Sequence, residues 1–275
     1  MNIWMKKFMG DRLFLILLLL NVVLVSFFLL SPGIAPNDPI EIHPDLALLE
    51  YSDDYPLGTD QLGRCYLSRL MYGGKATLVM TFGIVVFITA AGTAAGIMAA
   101  LAGGWAEHFF MRFLDTVLAI PSMVLILVMV SIFGNGLVTT TFAIVSVSWI
   151  TYARTAHSLV LGFRDSGFIQ QARMGGVGFL RLLFRYVLPN VFPQVIVVAT
   201  QDFGDKLLLL STLSLLGLGA QPPTPEWGYM LSEAKPFMQQ APWLLFYPGF
   251  LIFLHVIMFN LLGDRLQEVL DPKEA

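Results

Sequence analysis

The chain has 275 residues, of which 56% are hydrophobic and 13% are charged, and its formal net charge is −3. A soluble domain of this length does not need so large an apolar fraction, so the composition favours a membrane protein. The single cysteine, Cys65, excludes an internal disulfide, and the small net charge gives no reason to expect a nucleic-acid partner.

Six apolar runs are long enough to cross a membrane as helices. A hydrocarbon core of about 30 Å needs roughly 20 apolar residues in a helix, and continuous runs favour helices over a barrel. The first run could instead be a signal peptide, but its apolar core is longer than the ~7–15 residues that signal peptides use. The runs cover residues of about 13–30, 76–102, 113–133, 137–160, 190–216 and 244–263. We therefore predict an all-α membrane protein with six transmembrane helices.

The distribution of basic residues predicts the orientation of these helices. Lys6, Lys7 and Arg12 precede the first run, and residues 154–185 contain five Arg and one Asp. Residues 31–60 contain seven Asp and Glu and neither Lys nor Arg. Because short cytoplasmic loops are enriched in Lys and Arg, we expect both termini in the cytoplasm and the acidic segment outside.

The two segments predicted to lie outside contain helix signals of their own. Thr59 is a candidate helix cap before an amphipathic stretch, and Thr224, Pro225 and Glu226 form a helix-start pattern. Pro236 ends or kinks the helix that follows. These segments are either docking or lid elements, or loops that lie on lipid headgroups.

A basic stretch, FIQQARMGGVGFLRLLFRYVLPN, begins at residue 168 and contains no acidic residue. Its pattern predicts a helix over 164–175, a break at the glycines around Gly176, and a second helix over 179–188 that ends at Pro189. Two interpretations are open: a basic loop lying on anionic lipid, or a helix-turn-helix that docks a cytoplasmic partner.

This stretch resembles the coupling loop of binding-protein-dependent ABC importers, whose consensus is Glu-Ala-Ala, three residues, Gly, nine residues, Ile, one residue, Leu-Pro. Ala172, Gly176, Leu188 and Pro189 match that consensus, while Gln170 and Gln171 replace its Glu and first Ala. Four other stretches, PLGTDQLGRCYLSRLMYG, MRFLDTVLAIPSMVLILV, LSLLGLGAQPPTPEWGYML and FNLLGDRLQEVLDP, resemble the peptide and nickel permease family of ABC importers in the same order. Within that family the chain is similar to the C-type permease subunit.

The resemblance implies a type I ABC importer permease fold, with the whole chain, 1–275, as a single transmembrane domain of the bacterial cytoplasmic (inner) membrane. It implies four kinds of contact: a second homologous permease, two ABC ATPase subunits, an extracytoplasmic substrate-binding protein and membrane lipid. The stretch closest to a phosphate-binding loop, GGKAT at 73–77, lacks the required glycine and hydroxyl residues, and we expect it to form the turn that enters the second span. We therefore expect a permease and not an enzyme, with no cofactor of its own and with ATP and Mg on the partner ATPases. The resemblance implies that residues 164–189 form the loop that couples the permease to an ATPase. The candidate coupling residues in this loop are Gln170, Gln171, Ala172, Arg173, Gly176, Arg181, Leu188 and Pro189.

Charged residues inside the predicted spans are the other candidate site. A charge at the centre of a membrane helix costs at least about 2.5–3.5 kcal/mol, so Asp202, Asp205 and Lys206 are expected to face protein or water. Asp202 and Lys206 are spaced i, i+4 and therefore share a helix face. They either lock helices together or line the translocation path. Asp115, near the end of the third span, is expected to snorkel or to pair with Arg112.

The possible metal ligands in the predicted spans bear on which substrate the chain transports. His255 and Met258 share a face of the sixth span, but a lone His on an apolar helix more often has a structural role, and no dedicated metal site is predicted. The resemblance favours import of nickel or a metal chelate, with di- or oligopeptides as the alternative. A secondary transporter, which would use ionisable groups along an ion path, is a third and weaker interpretation.

Overall fold

The computed structural model describes residues 10–270, apart from the side chain of Arg173. These residues form helices and turns, and their strand-like pairing consists of an isolated bridge between Thr59 and Cys65. Lys6 and Lys7, on which part of the predicted orientation rests, lie outside the described residues. The helices are α1 (Arg12–Leu30), α2 (Tyr66–Ala102), α3 (Gly104–Leu118), α4 (Ser122–Phe133), α5 (Leu137–Arg164), α6 (Gly167–Met174), α7 (Phe179–Leu215), α8 (Trp227–Ala234) and α9 (Trp243–Leu270).

Helices α2 and α5 form the centre of the bundle, and two glycines set the distance between them. A methyl group at Gly92 would lie 2.3 Å from the carbonyl oxygen of Trp149, and one at Gly96 would lie 2.1 Å from that of Ala153. Small residues at such positions let helix backbones approach closely in membranes. Gly92 and Gly96 therefore let α2 and α5 pack closely against each other.

Helices α1, α2, α7 and α9 are each long and apolar enough to cross a membrane. The pair α3 and α4 would provide a fifth span, bent by 81° at a break that includes Pro121. Helix α5 is long enough, but its many Ser and Thr residues and its two arginines lower its hydropathy, so it is not among these candidates. The prediction of helical spans is confirmed, while the count of six and the cytoplasmic position of the termini stay predictions.

The helices alternate in direction, which gives the bundle two distinct ends. The acidic end contains residues 31–65 and 216–242, and the basic end contains α6 and the first turns of α7. At the acidic end, the backbone N–H of Gly136 donates to the carbonyl oxygen of Leu218 at 3.0 Å, which joins the start of α5 to the end of α7.

Three local predictions were wrong. No separate amphipathic helix follows Thr59, because α2 begins at Tyr66 and runs without interruption through residues 73–77, which were expected to be a turn. Helix α7 also continues through Pro189 instead of ending there. A π-turn over Leu183–Val187 precedes an α-helical segment in which Pro189 is the second residue, where a missing backbone N–H is tolerated.

Candidate functional site

The coupling segment, residues 167–188, is attached to the bundle by buried apolar side chains. Ile169 and Val187 are each 1% exposed, and with Ala172 and Leu182 they belong to the same core as residues of α2 and α5. Because these residues come from both halves of the segment, a force applied to the segment would reach the helices that it packs against. The inner face of the segment is therefore packed as part of the bundle.

Gly176 provides the turn between the two halves of the coupling segment. Its φ is +73°, in the left-handed region that glycine adopts without strain. The N–H of Val177 donates to the carbonyl oxygen of Ala172 at 3.1 Å, a bond that closes the end of a helix when a left-handed residue follows it. The glycine at this position of the motif is thus explained by backbone geometry.

The face of the coupling segment that points away from the bundle is exposed and mixed in character. Gln170, Gln171 and Arg181 are exposed, and the side-chain amide of Gln170 donates to the carbonyl oxygen of Asp165 at 3.0 Å. Leu188 is half-buried and Pro189 is exposed. Large apolar side chains are also exposed on this segment: Phe168, Met174, Phe179, Leu180 and Phe184. An exposed apolar patch of this kind is typical of a surface that a partner protein covers.

A charge cluster joins α5 to α7 inside the bundle. Lys206 Nζ lies 2.6 Å from Asp202 Oδ1, and the Tyr152 hydroxyl donates to Asp202 Oδ2 at 2.9 Å. The Lys206 and Asp202 side chains are 15% and 16% exposed. Asp205 is exposed and forms no ion pair with the described residues. The structure therefore joins Asp202 and Lys206, as their spacing predicts, and leaves Asp205 apart from them.

Asp115 has a different partner from the one that the sequence indicated. Arg154 Nη1 of α5 lies 3.1 Å from Asp115 Oδ1, so the ion pair links two helices, whereas Arg112 is on the same helix as Asp115. Both side chains are about half exposed, so the pair is worth at most about 1 kcal/mol.

His255 is a buried packing residue at the acidic half of α9. Its Nδ1 lies 2.8 Å from the carbonyl oxygen of Leu251, and its ring packs against the rings of Phe28 and Trp227 at centroid distances of 5.5 and 5.1 Å. Met258 contributes its carbonyl oxygen to Asn21 of α1. Within residues 10–270, no three His, Cys, Asp or Glu side chains are grouped as metal ligands.

Sequence reasoning missed an ion network at the acidic end, formed by Asp60, Arg64, Arg69 and Glu233. Arg64 lies 2.6 Å from Asp60 and 2.8 Å from Glu233, and Arg69 contacts the same two carboxylates. Asp60, Arg64 and Arg69 are at most 3% exposed. The network ties the segment before α2 to α8, and the i, i+4 spacing of Asp60 and Arg64 was its one local signal.

Glu226 forms a second connection between α2 and α8 at the acidic end. It is fully buried, it accepts backbone N–H bonds from Gly228 and Tyr229 at the start of α8, and it accepts the Thr77 hydroxyl of α2 at 3.0 Å. Burial raises the pKa of Glu226, and these hydrogen bonds oppose that change. The helix-start pattern predicted α8, but Glu226 is itself the cap.

At the basic end, Glu107 holds α3 against α5. Its carboxylate lies 2.7 Å from His157 Nε2 and 2.9 Å from Arg164 Nη1, and Arg164 also donates to the carbonyl oxygen of Ala100 at the end of α2. His157 lies within α5, where it is buried. This cluster fixes the end of α5 from which the coupling segment continues.

Comparison with known proteins assigns this bundle to a family. Residues 92–275 match the model of the binding-protein-dependent transport system inner membrane component. The chain belongs to this family. It is thus a permease subunit of an ABC importer, a multi-pass component of the bacterial inner membrane that works with ATPase and substrate-binding partners.

Two curated relatives have different substrates in their names. The dipeptide transport system permease protein DppC of Haemophilus influenzae is 40% identical over 98% of this permease and 92% of the relative. The nickel transport system permease protein NikC of Escherichia coli is 34% identical over 99% of this permease and 97% of the relative. Membership of the peptide and nickel group is therefore confirmed, whereas nickel as the substrate is not.

A solved structure supports the fold. An inward-facing conformation of the MetNI methionine ABC transporter matches with a TM-score of 0.61 over 74% of this permease and 96% of that chain. The sequences are 18% identical, so the likeness extends to the fold alone.

Proposed function

We propose that the chain forms half of the translocation path of an ATP-driven importer of dipeptides or short oligopeptides. The observation that carries this proposal is the higher identity to dipeptide permeases. DppC and NikC of the same species, Escherichia coli, are 38% and 34% identical to this chain, and a di/tripeptide permease of Pseudomonas aeruginosa is 39% identical. Import of nickel or a metal chelate is the second candidate, and the 97% coverage of NikC favours it.

The proposed complex contains this chain, a second homologous permease, two ABC ATPases and an extracytoplasmic binding protein. ATP and Mg would bind to the ATPases, and this chain would hydrolyse nothing. The coupling segment would receive the movement of one ATPase. Its exposed apolar patch and Gln170, Gln171 and Arg181 are suited to a protein partner, and its buried anchors connect it to α2 and α5. Because Gln170 is uncharged and bonded to Asp165, docking would depend on shape and hydrogen bonds.

Growth of an amino-acid auxotroph on a dipeptide tests the proposal. A strain that lacks its own peptide and nickel importers would express this chain with its partner subunits and its binding protein. We expect growth on a dipeptide that contains the required amino acid, and no accumulation of nickel above the level of the empty strain. Nickel accumulation without growth on any dipeptide would instead support the second candidate.

Replacement of Gly176 by Leu is the control that links growth to coupling. The variant should be present in membranes at the wild-type level and should not support growth, because a side chain at φ +73° strains the turn. Normal growth would show that the coupling segment does not transmit movement.

A further inference from the structure

Asp205 is an exposed carboxylate in the middle of a helix that is long and apolar enough to span the membrane. It lies on α7 one turn from Asp202 and next to Lys206, but those two residues neutralise each other at 2.6 Å and leave Asp205 without an ion pair among the described residues. A carboxylate that faces lipid at this depth costs at least about 2.5–3.5 kcal/mol. Asp205 therefore faces water or a cation in the assembled protein.

The side of the bundle that Asp205 occupies is polar on two helices. On α7, Gln201 and Thr212 share its face, and Gln201 donates to Asp264 of α9 at 2.9 Å. On α5, a matching line of hydroxyl residues is exposed or half-buried: Thr151, Thr155 and Ser158. We call these residues, with Asp205, the polar face.

Helix geometry places the two lines on the same side of the bundle. Tyr152 and Asp202 point at each other, since they share a hydrogen bond of 2.9 Å. Thr151 precedes Tyr152 by one residue, and Thr155 follows it by three. In the same way, Gln201 precedes Asp202 by one residue, and Asp205 follows it by three. At about 100° per residue, these neighbours are rotated by the same angle from the line that joins the helices. Because α5 and α7 are antiparallel, equal rotations lead to the same side.

Asp205 carries the one charge of the polar face itself, and the charge is negative. Asp264, which accepts the Gln201 amide, is a second exposed carboxylate beside this face, and it also forms no ion pair with the described residues. The hydroxyls of Thr155 and Thr212 are bonded to backbone carbonyl oxygens of their own helices, so they offer weak polarity to a solute. Asp205 offers a full charge that no described residue satisfies. A group that neutralises this charge has to be a cation, and a peptide provides one in its protonated α-amino group.

We infer that Asp205 binds the α-ammonium group of the transported peptide within the translocation path. This inference rests on the proposed function. Lys206 contributes indirectly, because it neutralises Asp202 and so leaves Asp205 as the uncompensated charge of these three residues. The other occupant of this site would be a basic residue of the second permease, which would make the polar face a subunit interface.

The accessibility of a cysteine at position 205 shows whether this position faces a water-filled path or an interface with the second permease. Asp205→Cys is made in a chain with Cys65→Ser, and the whole complex is placed in proteoliposomes and treated with a cationic, membrane-impermeant thiosulfonate. We expect labelling of Asp205→Cys at a rate that changes when the ATPases are trapped with vanadate. Leu19→Cys, a lipid-facing control that is 63% exposed on α1, should react only with a membrane-soluble maleimide. Failure of the water-soluble reagent to label Asp205→Cys would overturn the inference.

Uptake by charge variants tests the ligand. Asp205→Asn should lower the rate of dipeptide uptake about tenfold, the factor that corresponds to ~1.4 kcal/mol, while the complex assembles and hydrolyses ATP normally. Asp205→Glu should restore most of the uptake, and Thr212→Asn, which places the same amide on the same face, should have little effect. Unchanged uptake with Asp205→Asn, or loss of the second permease during purification, would refute the role in binding.

Dipeptide import by the wild-type complex shows whether a failure concerns this inference or the proposed function. If it imports no dipeptide, the peptide function and the ammonium ligand are both wrong, whatever the accessibility of position 205. If it imports dipeptides and Asp205→Asn does so equally well, only the inference is wrong.

Discussion

The Asp202–Lys206 pair gives the most quantitative prediction. Each side chain is about one-sixth exposed, and Asp202 also accepts the Tyr152 hydroxyl from α5. Removal of one member of a buried pair leaves an uncompensated charge and costs about 3–5 kcal/mol, whereas replacement of both is often close to neutral. Because this pair retains some solvent, we expect about 3 kcal/mol for Asp202→Asn or Lys206→Met alone. The double variant should lose about 1 kcal/mol.

The assay is equilibrium unfolding of the purified chain in mixed detergent micelles, followed by tryptophan fluorescence, with the four chains of a double-mutant cycle compared. The expected coupling energy is about 5 kcal/mol, above the range of about 0.5–3 kcal/mol that contacting residues usually show, because each single variant leaves the charge of its partner uncompensated. Asp205→Asn is the matched control, because it neutralises a carboxylate that has no ion pair within residues 10–270, and it should change the free energy of unfolding by less than about 0.5 kcal/mol. Additive losses from the two single variants would refute the reasoning.

Three other predictions concern the two ends of the bundle. Gly176→Leu should abolish association of the partner ATPase, measured by co-purification, whereas Gln170→Ala should retain most of it; the reverse order would contradict the role of the turn. Arg69→Met should destabilise the chain by about 3–5 kcal/mol in thermal unfolding, because it leaves the carboxylates of Asp60 and Glu233 with one arginine, while Arg185→Met, at an exposed position, should change stability little. A cysteine at Met238, which is 54% exposed, should react with impermeant reagents from the outer side of intact cells; reaction only after lysis would overturn the predicted orientation.

Local sequence signals predicted the features that depend on neighbouring residues. The spacing of Asp202 and Lys206 predicted their ion pair, because residues four apart lie on the same helix face. The cluster of glycines around Gly176 predicted the break in the coupling segment, and its positive φ gives the reason. The helix start before Trp227 followed from turn and cap chemistry in the same way.

Other features could not be predicted from the sequence, because they depend on residues far apart in the chain or on how the helices pack. Glu233 is 164 residues from Arg69, so no periodicity connects the two halves of the acidic-end network. Hydropathy measures apolar content and not position, so it gave no sign that α5 packs at the centre against α2. The end predicted at Pro189 was wrong because the rule assumes an α-turn before the proline, and a π-turn precedes it.

The proposed function is import of peptides, driven by an ATPase through the coupling segment. Its most direct test is uptake of a radiolabelled dipeptide into proteoliposomes that contain the full complex and its binding protein, with excess Ni²⁺ added as a competitor. We expect ATP-dependent accumulation that Ni²⁺ does not reduce and that Gly176→Leu abolishes. ATP-dependent accumulation of labelled nickel, with none of the dipeptide, would contradict it.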